Sequence, residues 1–213
     1  MREFIKKLLP RKLIDKARTI LYFWGVTSKF PRVYCIQKDR RRLFLSNYLD
    51  VTHWSKLDIG DNVFVWHFTI LDSYNGITIG DDCQIGTRVG IFTHSSHHSI
   101  RYYNKKYHDT DCVVHKGRVR GAVEIGKGTF VGANSIIMPG TRIGKGCIVS
   151  GYSYVQGVFD DFSIIAGNPA KKVGDVRRVD YKFLKSNPEF ESLYLDYFGM
   201  TSLDSLKEQK FNE

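Results

Sequence analysis

Histidines are concentrated in one short stretch of this chain. The 213-residue sequence has 7 histidines. Five of them fall between residues 93 and 121: His94, His97, His98, His108 and His115. Histidine is the side chain whose ordinary pKa lets it accept and return a proton near neutral pH. We therefore expect proton-transfer chemistry in this stretch.

Among these residues, His94 is the candidate catalytic base. It follows a regular pattern that ends at Phe92, so it stands where a rigid wall gives way to a loop and where an imidazole can be held against a bound hydroxyl or amine. The alternative is a corner histidine whose nitrogens are satisfied by backbone. His97 is a candidate for contact with an acceptor, although adjacent histidines in a loop are often only polar surface. Tyr102, in the same stretch, is a candidate for stacking on a ring of the bound acceptor.

Aliphatic residues recur every six positions on both sides of this stretch. The series is Ile59, Val65, Leu71, Ile79, Ile85, Ile91, Ile125, Val131, Ile137, Ile143, Val149 and Val155. Small or compact side chains follow four residues later, at Val63, Thr69, Cys83, Val89, Thr129, Ser135, Thr141, Cys147 and Ser153. A six-residue period suits neither an α-helix nor a hairpin and is typical of a parallel β-helix, in which three short strands form each triangular coil. The sequence therefore predicts an all-β solenoid with both sets pointing inward, and it disfavours a β-sandwich.

Two interruptions break this period. The pattern stops after Phe92 and resumes at Val123, which predicts one long loop over residues 93–121 extruded from a corner. A smaller surplus of residues over the six-residue period predicts a corner bulge near Tyr74-Asn75-Gly76. The predicted organisation is a basic helical arm and connector over 1–44, the β-helix over 45–175 and a C-terminal helical tail over 176–213.

The excess positive charge lies in the N-terminal arm. The formal net charge is +10, and residues 1–56 hold 14 Lys or Arg against 4 Asp or Glu. Apolar residues at three- and four-residue steps among these cations predict a basic amphipathic helix over 1–24. This helix would attach to an anionic membrane surface or cap the open end of the solenoid, and both interpretations stay open.

The sequence shows neither a membrane span nor a signal peptide. We therefore expect a cytoplasmic protein, peripheral at the inner face of the membrane if the arm binds lipid. No nucleic-acid partner is expected. The four cysteines lack paired spacing, which favours structural thiols over disulfides or metal ligands, so no metal is expected.

Four motifs in order resemble the left-handed β-helix acetyltransferases, and most closely the galactoside, maltose and nodulation-type O-acetyltransferases. They are the hexads, the His94–His98 stretch, the run from Gly128 to Gly140 and the terminal Ala166–Ala170. The resemblance covers roughly residues 57–175. It implies a left-handed coil, a homotrimer, acetyl-CoA bound in a groove between neighbouring solenoids, and deprotonation of the acceptor hydroxyl by His94.

The same resemblance assigns further site residues. Phe130 matches a position near the pantetheine path that is often Trp, and Ala133 and Gly151 match positions whose backbone lines the groove. Lys171 matches a basic residue near the CoA phosphates. Asp72 matches acceptor-contacting positions and would bind sugar or orient His94. The alternatives are inter-coil packing for Phe130 and Ala133, and a surface charge for Lys171.

One segment departs from the family pattern. The group usually has Thr-Lys-Asp where this chain has Gln156-Gly157-Val158. A phosphate-side lysine is therefore missing, and Lys171, Lys172 or Lys116 compensates for it unless the donor is held differently.

The leading functional prediction is an acetyl-CoA-dependent O-acetyltransferase of a sugar hydroxyl in surface polysaccharide or lipopolysaccharide biosynthesis. One alternative is an N-acetyltransferase of a nucleotide-linked amino sugar. Two further alternatives belong to other functional classes. One is a γ-carbonic-anhydrase-like metal-dependent hydratase, although His94, His97 and His98 do not reproduce the histidine spacing of that family. The other is a non-catalytic scaffold.

Overall fold

The computed structural model of the chain describes residues 33–109, 111 and 114–206, together with positions 13, 17 and 20, which are helical. Apart from these three positions, the arm predicted over residues 1–24 lies outside the described residues. Within the described part of the chain, no helix is both long and apolar enough to cross a membrane.

Most of the regular elements in the described part of the chain are short strands. In chain order they are β1 (Val33–Lys38), β2 (Arg41–Ser46), β3 (Asp50–Val51), β4 (Leu57–Ile59), β5 (Val63–Val65), β6 (Ile70–Asp72), β7 (Ile77–Ile79), β8 (Gln84–Ile85), β9 (Gly90–Phe92), β10 (His94–Ser95), β11 (Val119–Arg120), β12 (Val123–Ile125), β13 (Phe130–Val131), β14 (Ile136–Ile137), β15 (Arg142–Ile143), β16 (Ile148–Val149), β17 (Tyr154–Val155), β18 (Val158–Phe159), β19 (Ser163–Gly167) and β20 (Ala170–Asp175).

Three sheets form the faces of a triangular prism. Face A has the order β1-β2-β5-β8-β13-β16-β19-β20, face B has β17-β14-β9-β6-β3, and face C has β18-β15-β12-β7-β4. Consecutive coils pair in parallel within each face, and the hairpins β1–β2 and β19–β20 at the two ends of face A are antiparallel. The predicted parallel β-solenoid is confirmed.

The interior of the prism is filled by the residues that the six-residue period predicted. All twelve aliphatic positions of the series are at most 6% exposed, and all nine small positions are at most 2% exposed. The small polar ones satisfy their hydroxyls on coil carbonyls, as Thr69 Oγ1 donates to Gly86 O at 3.0 Å and Ser135 Oγ to Ser150 O at 3.0 Å. Buried hydroxyls are therefore hydrogen-bonded, as burial requires.

The solenoid begins earlier than the sequence predicted. β1 and β2 form a hairpin before residue 45, and Leu43 and Leu45 pair with Val63 and Val65 of the next coil. Residues predicted as a connector thus belong to face A. The hexad pattern did not show this, because an antiparallel hairpin does not keep the six-residue period.

Helices lie in the long loop and after the last strand. They are α1 (Ser99–Tyr103), α2 (Val176–Ser186) and α3 (Glu191–Phe198), with 3₁₀ turns at Trp54–Lys56, Asn104–Lys106, Pro188–Phe190 and Leu203–Leu206. α3 ends at Gly199, whose φ of 69° is the left-handed conformation that glycine adopts freely at a helix C-terminus. Lys127 Nζ and Lys145 Nζ donate to carbonyls at its C-terminus, which docks the tail on a corner of the prism.

Candidate active site

One corner of the prism, between faces B and C, carries an insertion in three successive coils. The ordinary spacing of inward aliphatic residues is six, but Val51 and Ile59 are eight apart, as are Leu71 and Ile79. In the third coil the loop 93–121 leaves from the same corner, and its two ends pair as the β10–β11 ribbon. We call this edge the inserted corner. Because coils stack in register, the three insertions lie against one another.

A carboxylate and an imidazole meet at the inserted corner. His94 Nδ1 lies 2.6 Å from Asp72 Oδ2, although the Nδ1–H bond is not aligned with that oxygen and forms no regular hydrogen bond. Asp72 is only 5% exposed, and Thr52 Oγ1 donates to its other oxygen at 3.2 Å. Thr93 donates through Oγ1 to the Asp72 carbonyl at 2.7 Å, which fixes the backbone just before His94. The Asp72 carboxylate is therefore fixed by Thr52, and the His94 ring lies on its solvent side.

The surroundings of His94 keep its imidazole neutral. Burial lowers the pKa of His94 below its ordinary value, and Arg118 and Arg120 lower it further, while Asp72 raises it. A neutral imidazole near pH 7 can accept a proton, which is the state a general base requires.

Tyr74 builds the side of the site. Its ring packs edge-on against His94 at 5.5 Å between ring centres and against His53 at 5.2 Å. Lys56 Nζ lies 4.7 Å and the Arg118 guanidinium 5.4 Å from the centre of the same ring. Cations near an aromatic ring are attracted by its quadrupole, so the ring also positions these two side chains. We call these five residues the Tyr74 cluster.

The predicted corner bulge is what brings Tyr74 to His94. Gly76 has φ of 99°, a conformation that favours glycine, and its turn lets the chain return to face C. Asn75 binds the start of the loop through two bonds to Thr93, from its backbone N to Oγ1 at 2.9 Å and from Nδ2 to the carbonyl at 2.7 Å. The bulge and the loop are thus one hydrogen-bonded unit.

The other two acceptor candidates form a separate stack further along the loop. His97 Nδ1 lies 2.7 Å from Ser95 Oγ, and its ring packs on His98 at 4.0 Å. Tyr102 stacks on His98 with an angle of 9° between the planes and is 64% exposed. The structure therefore gives His97 and Tyr102 an outer position, and their contact with an acceptor stays a prediction.

The predicted donor residues lie on face A and at the corner between faces A and B, away from the inserted corner that carries His94. Phe130 projects from face A and is 41% exposed. Ala133 and Gly151 stack at the corner between faces A and B, where a Cβ added to Gly151 would lie 3.1 Å from the Ala133 carbonyl oxygen. Lys171 is exposed on β20. A single chain therefore does not bring these residues together with His94.

The described residues show no group of three or more side chains able to hold a metal ion. His115 is 4% exposed and packs between the rings of Tyr103 and Tyr107 at 4.6 and 4.4 Å. The hydratase alternative therefore gains no support from the structure.

Sequence reasoning missed Thr52, His53, Lys56, Tyr74 and Arg118 as site residues. A signal for three of them was present, because Val51 and Ile59 have the same eight-residue spacing that revealed the bulge near Tyr74. Arg118 had no such signal, since its position depends on how the loop folds back to form β11.

Two family models match the chain at and after this corner. The bacterial transferase hexapeptide model of six repeats matches residues 122–157, and the hexapeptide repeat of succinyl-transferase matches residues 73–93.

Similar proteins carry transferase names. The chain is 33% identical over 111 residues, 52% of its length, to WbbJ of Escherichia coli K12, a protein assigned by name to O-acetyl transfer in lipopolysaccharide biosynthesis. It is 32% identical over 136 residues to protein CapG of Staphylococcus aureus, covering 64% of this chain and 74% of CapG. Two of the curated relatives that it matches are covered over only 38% and 56% of their length.

A solved structure shares the fold. A hexapeptide-repeat acetyltransferase of Vibrio cholerae, crystallised with acetyl coenzyme A, superposes with a TM-score of 0.51 at 21% identity, over 60% of this chain and 64% of the other. The likeness supports the left-handed β-helix.

Proposed function

The chain belongs to the bacterial hexapeptide-repeat acetyltransferases, and on that premise we propose that it transfers the acetyl group of acetyl-CoA to a sugar hydroxyl. The observation that carries the proposal is the 2.6 Å approach of Asp72 Oδ2 to His94 Nδ1 at the inserted corner. This pairing leaves the other ring nitrogen of His94 available to a substrate. Relatives named as O-acetyltransferases support the reaction class.

The residues of the inserted corner suit general base catalysis. The Asp72 carboxylate favours a proton on Nδ1 of His94, so Nε2 carries the lone pair. Nε2 takes the proton of the acceptor hydroxyl as the oxygen attacks the thioester carbonyl. The carbon–sulfur bond then breaks, CoA leaves as a thiolate, and the proton held by His94 passes to that sulfur or to solvent. Asp72 stabilises the imidazolium that forms in between.

We propose further that the working unit is a homotrimer. The base lies at the inserted corner, whereas the donor residues of the same chain lie on face A and at the corner between faces A and B, so a neighbouring chain would have to supply the donor residues to complete the site. Exposed apolar side chains on faces A and B support such an interface, because contact with a neighbouring chain would remove their apolar surface from water. They are Phe130 at 41%, Ile136 at 40%, Ile70 at 39% and Ile148 at 36% exposure.

The biological setting we propose is surface polysaccharide or lipopolysaccharide assembly on the cytoplasmic side of a membrane. The printed name of WbbJ supports it, as does the basic composition of residues 1–56. In this proposal residues 1–24 give peripheral contact with anionic lipid, where a lipid-linked sugar acceptor would be found.

Acetyl transfer by wild type and a His94→Ala variant tests the function. Purified protein receives radiolabelled acetyl-CoA and a panel of sugars, and the product is treated with mild base, which releases an ester but not an amide. We expect His94→Ala to lose about 10²- to 10⁴-fold in rate while still binding acetyl-CoA by calorimetry. His108→Ala, an exposed histidine of the same loop, serves as the matched control and keeps its activity. Failure of the wild type to bind acetyl-CoA would overturn the proposal.

A further inference from the structure

Positive charge surrounds the proposed catalytic base. Lys56 Nζ and the Arg118 guanidinium lie 4.7 and 5.4 Å from the centre of the Tyr74 ring, which itself packs against His94. Arg120 is the residue paired with His94 across the β10–β11 ribbon. Two cations of the loop, Arg118 and Arg120, and Lys56 of the first insertion therefore lie at the corner that holds this imidazole.

This arrangement weakens the base while the site is empty. Arg118 and Arg120 act in the same direction as burial and lower the pKa of His94, against the opposite effect of Asp72. A cation near an imidazole disfavours the imidazolium that must form when the acceptor hydroxyl loses its proton. A negative group placed among these cations would offset that effect during the reaction.

The charge is local and is not a property of the solenoid as a whole. The loop 93–121 has six Lys or Arg and two Asp or Glu, whereas residues 57–92 have one and five. The coils that precede the loop are thus acidic, and the loop brings two of its cations, Arg118 and Arg120, to the corner that holds the base. Such a local excess attracts and orients an anion.

We propose that the acceptor carries an anionic group, a phosphate or a carboxylate, which Arg118 and Lys56 hold beside Tyr74 while a hydroxyl of the same molecule faces His94. This inference rests on the proposed function and narrows its substrates to phosphorylated or acidic sugars. Arg118 offers a planar fork of N–H donors that matches both kinds of anion, and its position over Tyr74 orients it before the ligand arrives. Lys56 donates to the Tyr74 carbonyl at 2.7 Å, which holds its ammonium at the same edge.

The test is an NMR titration of His94 in full-length protein labelled with ¹³C-histidine. The His94 signal is assigned from its absence in a His94→Gln variant. Its pKa is measured alone and with inorganic pyrophosphate, with glucuronate or with glucose. We expect one or both anions to raise the pKa of His94 by about one unit and glucose to leave it unchanged. His108, exposed in the same loop, reports any general effect of salt.

Arginine variants locate the effect. Arg118→Gln should raise the anion concentration needed for the half-maximal shift by about tenfold, and Arg118→Lys by less. Arg142→Gln is the matched control, because Arg142 is an exposed arginine whose Nη2 pairs with Glu124 Oε2 at 2.8 Å on face C. It should leave the shift intact.

Each outcome decides the proposal. A shift with pyrophosphate alone identifies a phosphate, and one with glucuronate alone identifies a carboxylate. The absence of a shift with either anion, an equal shift with glucose, or equal losses in Arg118→Gln and Arg142→Gln would overturn it. The titration needs no acetyl transfer, so a protein that shows the anion effect but does not bind acetyl-CoA refutes the proposed function and leaves the anion subsite standing.

Discussion

Asp72 Oδ2 lies 2.6 Å from His94 Nδ1, and face B explains why the two residues meet. Asp72 pairs with Phe92 at the end of the β6–β9 ladder, so His94 is placed just past the partner of Asp72. The stacking of coils thus places the Asp72 carboxylate next to the His94 imidazole, which belongs to the following coil.

Replacing the carboxylate should weaken catalysis without removing the base. We expect Asp72→Asn to lower kcat by about 10- to 100-fold, comparable to the loss of an orienting partner elsewhere. Because Asp72 raises the pKa of His94, the variant should also move the acidic limb of the pH profile to lower pH. Steady-state kinetics across pH measure both effects. An unchanged limb together with an unchanged kcat would show that Asp72 does not act through His94.

The wild-type pH profile should follow the neutral form of His94. Burial lowers the pKa of this imidazole below 6.5, so the base stays unprotonated and active at pH 7. Activity should fall only when the pH drops through the lowered pKa, which places the midpoint of the acidic limb of kcat/KM below 6.5. A midpoint above this value would contradict the assignment.

Tyr74 should act through its ring and not its hydroxyl. We expect Tyr74→Phe to keep nearly wild-type kcat/KM, because the contacts at 5.5 Å to His94 and 4.7 Å to Lys56 both involve the ring. Tyr74→Ala removes these contacts and should lower kcat/KM by at least about tenfold, the equivalent of about 1.4 kcal/mol. Equal losses in the two variants would instead point to the hydroxyl.

The hexad core should dominate stability. Ile137 is fully buried, and Ile137→Ala should reduce the free energy of unfolding by about 2–5 kcal/mol, since it removes apolar contacts and leaves a cavity. Val158→Ala on face C, where Val158 is 73% exposed, is the control and should change it by less than about 0.5 kcal/mol. Urea unfolding at fixed protein concentration measures both.

The proposed trimer depends on the outer surface of faces A and B. Ile136 is 40% exposed on face B, and a charged side chain at this position should dissociate the trimer. We expect Ile136→Asp to sediment as a monomer with an unchanged circular dichroism spectrum and to lose acetyl transfer, while Val158→Asp stays assembled. A monomeric wild type with full activity would refute a shared site.

Two cysteines should be chemically inert in the folded protein. Burial raises the pKa of the Cys83 and Cys147 thiols to about 11, so little thiolate forms at pH 8. Peptide mass spectrometry after iodoacetamide treatment should find both unmodified until denaturant is added. Labelling of either one in the native protein would mean that its coil opens.

The sequence by itself determined the solenoid and its inward residues, and it directed attention to the loop over 93–121 and to His94, whose role as the base stays a prediction. The solenoid and its inward residues follow from the six-residue period, because each coil repeats one geometry and buries the same positions. The spacing of residues along the chain therefore predicts which of them lie side by side in the structure. The bulge near Tyr74 could be predicted for the same reason, because the number of residues between inward positions there exceeds the six-residue period.

Only the tertiary structure decided the contacts across coils and within the loop. Asp72 was a candidate for two roles, and its place beneath His94 required the register of face B. The positions of Lys56 and Arg118 depend on three insertions that stack at one corner and on a ribbon closing a long loop. Such contacts join residues far apart in the chain, and a local pattern carries no information about them.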